Sequence, residues 1–192
     1  LARPLPNLLL DTGIIVGMIN SCEKEPTMMR IYVSELNTPI GTLYLASSDQ
    51  GVVCISLSGK ENLLKDLERL VPDMELEEND SKNKKVIRQL REYFSGTRQD
   101  FDLPLHLIGT EFHKLVWRQL CQVPFGQTAS YKEIAERIGR AKATRAVGQA
   151  NHRNPIPIII PCHRIIGANG HLVGFGGGLD MKRFLLSHEG GL

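Results

Sequence analysis

Cys162 and His163 are adjacent, Arg164 follows them, and Glu189 lies further on towards the C-terminus. A thiol attacks only as its thiolate, and basic groups or helix dipoles nearby pull its pKa below the ordinary value of about 8.5. A histidine beside the thiol can take the proton, and a carboxylate can orient the histidine, which is the general arrangement of nucleophilic catalysis. Linear spacing does not bring Glu189 to His163; only a fold that returns the C-terminal segment can do so. Upstream, Asn154-Pro155-Ile156-Pro157 reads as extended, because the residue before a proline avoids the helical region. Ile158-Ile159-Ile160 then reads as buried, which puts Cys162 at the edge of a core. Cys22, Cys54 and Cys121 read as small buried hydrophobes.

The elements that must position these residues are legible in outline. Arg30–Val33, Gly41–Ala46 and Gly51–Leu57 read as strands, with a turn at Asn37-Thr38-Pro39, and a short antiparallel sheet is their simplest arrangement. Leu63, Leu64, Leu67 and Leu70 have helical spacing, and Pro72 ends that helix. The charged stretch Asp73–Lys85 reads as a surface loop before a second helix that stops at Ser95-Gly96. An extended Asp102–Leu105 suggests a boundary near 107–110. Beyond it the chain is mainly helical: Glu111–Cys121, then Ser130–Ile138 opened by a Ser130/Glu133 capping box, then Thr144–Ala150. The last two helices, joined by a turn containing Gly139, resemble a helix-turn-helix. The fold class expected is α+β. Residues 1–29 form an extension, 30–107 a small antiparallel sheet with helices, and 108–192 a mainly helical domain containing the helix-turn-helix.

Composition narrows the class. With 42% hydrophobic and 23% charged residues in 192, the chain is an ordinary globular protein of one or two domains. Its net charge of +2 conceals an asymmetry: residues 1–107 carry 12 basic and 16 acidic side chains, residues 108–192 carry 11 and 5. A polyanion would therefore meet the C-terminal half. The four cysteines form no CxxC pair and no disulfide framework, which points to a reducing cytoplasm. Leu8–Ile19 contains Asp11 and is too short to span a bilayer, and as a secretory signal it is weak. No membrane association is expected.

Residues 154–166, NPIPIIIPCHRII, closely resemble the active-site signature of the O6-alkylguanine-DNA alkyltransferases. SYKEIA (130–135), TRAVGQA (144–150) and GFGGGLDMKRFLLSHEG (174–190) extend the resemblance in order across residues 110–190. The resemblance implies direct, irreversible, single-turnover repair, in which an alkyl group, mainly methyl, moves from guanine O6 in double-stranded DNA to Cys162. His163, through a water, would take the thiol proton, with Glu189 orienting it. Tyr131 would hydrogen-bond the departing base, and Asn154 would brace the active-site loop. Arg145 would fill the stack vacated by a flipped nucleotide, on a helix entering the minor groove, where Ala146 and Gly148 allow close approach and Arg164 adds a DNA contact. Phe175, Gly176 and Gly177 would line the substrate pocket; Phe175 stands where many relatives carry Tyr, so altered affinity for bulky benzylguanine-type substrates is expected. No cofactor is implied, and a monomer is, acting in the cytoplasm or, in a eukaryote, the nucleus. Some relatives hold zinc in the N-terminal domain, but Cys22, Cys54 and His106 are unsuitably spaced for a closed site, so no metal is expected. His113, His152, His171 and His188 read as surface or structural.

Other readings weigh less. A lesion-binding alkyltransferase-like protein carries Trp in place of the acceptor, and Cys162 is intact. A helix-turn-helix regulator with a redox cysteine leaves Tyr131, Asn154 and Glu189 unexplained. A cysteine hydrolase would need oxyanion machinery, and none is identifiable.

Overall fold

The structure, a computed structural model, describes residues 28–191; the extension expected over the first residues lies almost wholly outside them. The N-terminal part is a four-stranded sheet in the order β3-β2-β1-β4. It is built from β1 (Met29–Thr38), β2 (Gly41–Ser48), β3 (Gly51–Ser56) and β4 (Met74–Glu78). β1, β2 and β3 are antiparallel neighbours, whereas β4 runs parallel to β1 over Met29–Val33. The sheet is therefore mixed, not purely antiparallel, and the stretch expected as a charged loop contains an edge strand. Edge strands are commonly blunted by charge, and Glu75, Glu77 and Glu78 do this here. The first hairpin is also tighter than expected, since Thr38 pairs directly with Gly41.

α1 (Lys60–Leu70) covers one sheet face. It buries Leu63 and Leu67 against Ile31, Val33, Val53 and Cys54. α2 (Asp80–Phe94), capped by the Asn79 side chain, covers the other. Its buried Asn83 amide donates to the Tyr32 carbonyl at 2.9 Å and accepts from Ser47 Oγ at 2.6 Å, so a polar group in the core is satisfied. The connecting segment does not leave the sheet. Val52 N–H donates to Pro104 O and His106 N–H to Val52 O, both at 2.9 Å. Gly51 permits this approach: a Cβ there would collide with the Pro104 carbonyl.

The C-terminal part comprises α3 (Glu111–Leu120), α4 (Tyr131–Arg137), α5 (Thr144–His152) and α6 (Leu179–His188). Thr110 caps α3, and the Ser130/Glu133 capping box opens α4. Trp117 donates its indole N–H to Ala150 O at 2.8 Å, tying α3 to α5. Leu43, Leu45, Ile55, Leu90 and Tyr93 share one continuous core with Val116, Leu120, Ile134, Val147 and Ile160. No helix among the described residues is long and apolar enough to cross a membrane.

Candidate active site

The loop before Cys162 is fixed by its own side chain and by the sheet. Asn154 Nδ2 donates to Ile160 O at 2.9 Å, and its Oδ1 accepts from Ile156 N–H at 3.0 Å. From the N-terminal part, Ile55 N–H donates to Pro155 O at 2.8 Å. Between these anchors the buried Ile158 adopts a φ of +75°, a conformation that a β-branched residue adopts only under external constraint. The loop ends in a single 3-10 turn, Cys162–Arg164. Two-residue strands β5 (Ala129–Ser130) and β6 (Ile165–Ile166) pair in parallel. That pairing holds the start of α4, and with it Tyr131, beside the Cys162 turn.

Cys162 is only 5% exposed. Burial pushes its thiol up to about 11, partly offset by hydrogen bonding to Asn154 and by the charge of Lys182. At neutral pH the group is a thiol, and it needs a base. His163 is fully buried. Its Nε2–H donates to Glu189 Oε1 at 2.8 Å, and Nδ1 has no hydrogen-bond partner among the described residues. Burial outweighs Glu189 and lowers the pKa of His163, so the ring is neutral with a lone pair on Nδ1. A neutral imidazole whose proton is held on one nitrogen offers the other as base.

Glu189 is the hub of the site. Oε1 accepts from His163, from the Tyr93 hydroxyl at 2.8 Å and from Arg164 Nη2 at 3.0 Å. Oε2 accepts from Arg164 Nε at 2.8 Å and from Gly126 N–H at 3.3 Å. Burial alone would raise its carboxyl, but hydrogen bonds from His163 and Arg164 prevail and bring it down to about 2. Gly126, at φ +72°, allows the approach: a Cβ there would stand 2.7 Å from Glu189 O. Lys182 is also fully buried, its ammonium donating to Ile165 O and, at 2.8 Å, to Val173 O. Burial lowers it to about 8.

A cavity of about 380 Å³ opens onto Cys162. Asn154, Pro157, Phe175 and Gly176 form one side, and Ser58, Asn62 and Lys65 of the N-terminal part the other. Gly177, expected to join Gly176 there, is not part of the lining; it lies against Met181 and the Phe175 ring. The Tyr131 phenol is half-buried and kept protonated by burial and by Cys162. Arg145 and Ala146 are exposed on α5. Gly148 instead faces inward, where a Cβ would meet the Tyr131 ring at 3.8 Å.

The structure thus brings Cys162, His163 and Glu189 together, with Asn154 and Tyr131 beside them. It does not place Arg164 where DNA could reach it. Arg164 is 5% exposed, and its remaining donor, Nη1, goes to Val123 O at 2.6 Å; it is the internal counter-ion of Glu189. Sequence reasoning missed Tyr93 and Lys182. For Lys182 a signal existed: Lys182, Leu185, Leu186 and Glu189 follow the i, i+3, i+4, i+7 spacing of one buried helix face. For Tyr93, contributed by α2, there was none.

Two family models cover nearly all the described chain: the "6-O-methylguanine DNA methyltransferase, ribonuclease-like domain" over residues 31–107 and the "6-O-methylguanine DNA methyltransferase, DNA binding domain" over 111–191. The chain is 46% identical over 161 residues to the methylated-DNA–protein-cysteine methyltransferase of Methanosarcina acetivorans, covering 83% of this chain and 99% of that one. The Methanosarcina barkeri protein of the same name is 45% identical, covering 83% and 97%. Among solved structures, Mycobacterium tuberculosis OGT in complex with DNA superposes with a TM-score of 0.71 at 38% identity, covering 84% of this chain and 92% of that one. With both halves matched in order, and a buried thiol beside a neutral histidine at the floor of its cavity, the chain belongs to the methylated-DNA–protein-cysteine methyltransferase family.

Proposed function

We propose that this protein repairs O6-alkylguanine in double-stranded DNA by moving the alkyl group to Cys162, once per molecule. The observation that carries the reading is the pairing of a buried thiol with a neutral histidine whose Nε2–H is committed to Glu189. His163 Nδ1 accepts the thiol proton through one water, and Glu189 stabilises the imidazolium that forms. The thiolate sulfur attacks the alkyl carbon, a C–S bond forms, and the C–O6 bond breaks with its electron pair leaving on guanine. The Tyr131 phenol hydrogen-bonds the departing base and eases its protonation. A thioether has no route back, so the protein is consumed, and the atoms balance without a cofactor.

A base inside a duplex must first be flipped out, at a cost of a few kcal/mol. The exposure of Arg145 on α5 suits it to fill the vacated stack, with Ala146 beside it allowing close approach to the minor groove. The basic C-terminal half supplies phosphate attraction that weakens with salt. We infer that the protein acts as a monomer, in the compartment that holds DNA: the cytoplasm, or the nucleus in a eukaryote.

The test is intact-protein mass spectrometry after mixing with a duplex containing O6-methylguanine, followed by peptide mapping. One methyl group on Cys162, saturating at one per protein, is the expected result. Lesion binding with unchanged protein mass would make the protein a recognition module. Lesion loss without mass gain would mean a turning-over enzyme.

A further inference from the structure

Glu189 is reached by one side chain from the N-terminal part. Among the described residues, Tyr93 is the only member of residues 28–107 whose side chain hydrogen-bonds to it. Tyr93 lies in the last turn of α2, is fully buried, and donates to Glu189 Oε1, the same oxygen that holds His163. The contact is reciprocal, since the neighbouring His188 ring bonds to the Tyr93 carbonyl at 2.7 Å. Phe94, Phe101 and Phe125 enclose the phenol ring. Burial and the adjacent carboxylate hold the phenol far above its ordinary value, so it is a permanent donor.

We propose that Tyr93 is a positioning residue of the alkyl-transfer site: through Oε1 of Glu189 the N-terminal part sets how strongly His163 holds a proton. The inference rests on the alkyl-transfer reading above. The charged and titratable groups facing this cluster are Arg164 and Cys162 from the 3-10 turn, Lys182 and His188 from α6, and Tyr93 itself from α2. Arg164 and Lys182 disfavour an imidazolium, and Glu189 favours it. A hydrogen bond to a carboxylate spreads its charge and weakens it as an acceptor for any other donor. With the Tyr93 hydroxyl in place, Oε1 shares its charge among three donors, and His163 stays neutral to lower pH. Without it, the same oxygen draws a proton to His163 more strongly. A protonated His163 cannot take the Cys162 proton, so transfer fails at a higher pH.

The experiment is the single-turnover methyl-transfer rate of the full chain, wild type and Tyr93→Phe, from pH 5.5 to 9. The acidic limb of the Tyr93→Phe profile should move upward. On the falling part of the acidic limb the variant should be up to about threefold to tenfold slower at the same pH, which corresponds to roughly half to one pH unit, and above pH 8 the two rates should agree within about twofold. Phe101→Leu disturbs the packing of the Tyr93 ring, whose centroid is 5.5 Å away, without touching Glu189. It should lower stability and leave the limb in place. Superimposable profiles, a uniform loss at every pH, a downward shift, or an equal shift in Phe101→Leu would each overturn the proposal. Absence of transfer by the wild type at every pH would instead sink the alkyl-transfer reading.

Discussion

Arg164→Met tests whether the arginine after the nucleophile belongs to the interior or to the DNA. Methionine keeps the length and apolar stem of the side chain but removes three donors: two to Glu189 and one to Val123 O. Glu189 is left with His163, Tyr93 and Gly126 and no counter-ion. Breaking a buried ion pair from one side costs about 3–5 kcal/mol, out of a total stability of about 5–15 kcal/mol. The carboxyl, held down by His163 and Arg164 together, sets how that loss depends on pH. Held at about 2 against an ordinary 4.5, it contributes on the order of 3 kcal/mol when ionised. That contribution is complete above about pH 4.5 and is lost as the pH falls through about 2, because the folded-state value is the depressed one. The difference between wild type and variant should therefore be full at pH 7 and shrink in strong acid, where a protonated Glu189 needs no partner. At pH 7 the variant should melt on the order of 10 °C lower, at about 2–4 °C per kcal/mol for a chain of this size. Trp117, the sole tryptophan and 2% exposed, reports unfolding by fluorescence in urea or on heating. A loss below about 1 kcal/mol at pH 7, together with weaker DNA binding and a shallower salt dependence, would show that Arg164 meets phosphate and would refute the buried counter-ion.

Arg145→Ala should leave stability within about 0.5 kcal/mol, as for most exposed positions. It should slow methyl transfer from duplex DNA far more than from a single strand, which single-turnover kinetics on the two substrates would reveal. Asn154→Ala orphans Ile156 N–H and leaves Ile160 O with the Cys162 N–H alone, at about 1–3 kcal/mol for the buried group left unsatisfied. Urea denaturation should register that loss, and transfer should slow as the thiol loses its fixed position. Gly126→Ala forces a Cβ against Glu189 O at a positive φ; a melting point unchanged within about 1 °C would contradict the close approach. Phe175→Tyr should change the ratio of benzyl to methyl transfer rates, measured by competition, since Phe175 lines the cavity above Cys162.

What could be read from the chain divides along the range of the forces involved. The capping box at Ser130, the helices ending near Leu120 and Ile138, and the buried isoleucine run before Cys162 are local consequences of residue type, and they stand where the spacing puts them. β4 escaped because Met74–Glu78 carries three glutamates in five residues, and only its parallel pairing with β1 makes a strand of it. Arg164, expected from the resemblance to be a DNA contact, is internal instead. Its burial depends on a carboxylate from α6 and a carbonyl from the α3–α4 turn, neither visible in its own neighbourhood. Tyr93 is further removed still, since its partner comes from the opposite end of the chain. The nucleophile and its base are contiguous and therefore legible. The groups that set their protonation converge from α2, α6 and the α3–α4 turn, and only the fold assembles them.

Ile158, turned into the left-handed region and sealed in the core, is a spring held shut by its surroundings. Such a residue stores roughly 1–3 kcal/mol, and a loop of this kind has little freedom to swing aside. An enzyme that turns over must reopen to shed product, and it accepts mobility near its nucleophile as part of that cycle. A protein that keeps the alkyl group for good releases only the repaired DNA and never has to free its sulfur for a second cycle. It can therefore hold its sulfur in a clenched loop, gaining aim at the expense of any second shot.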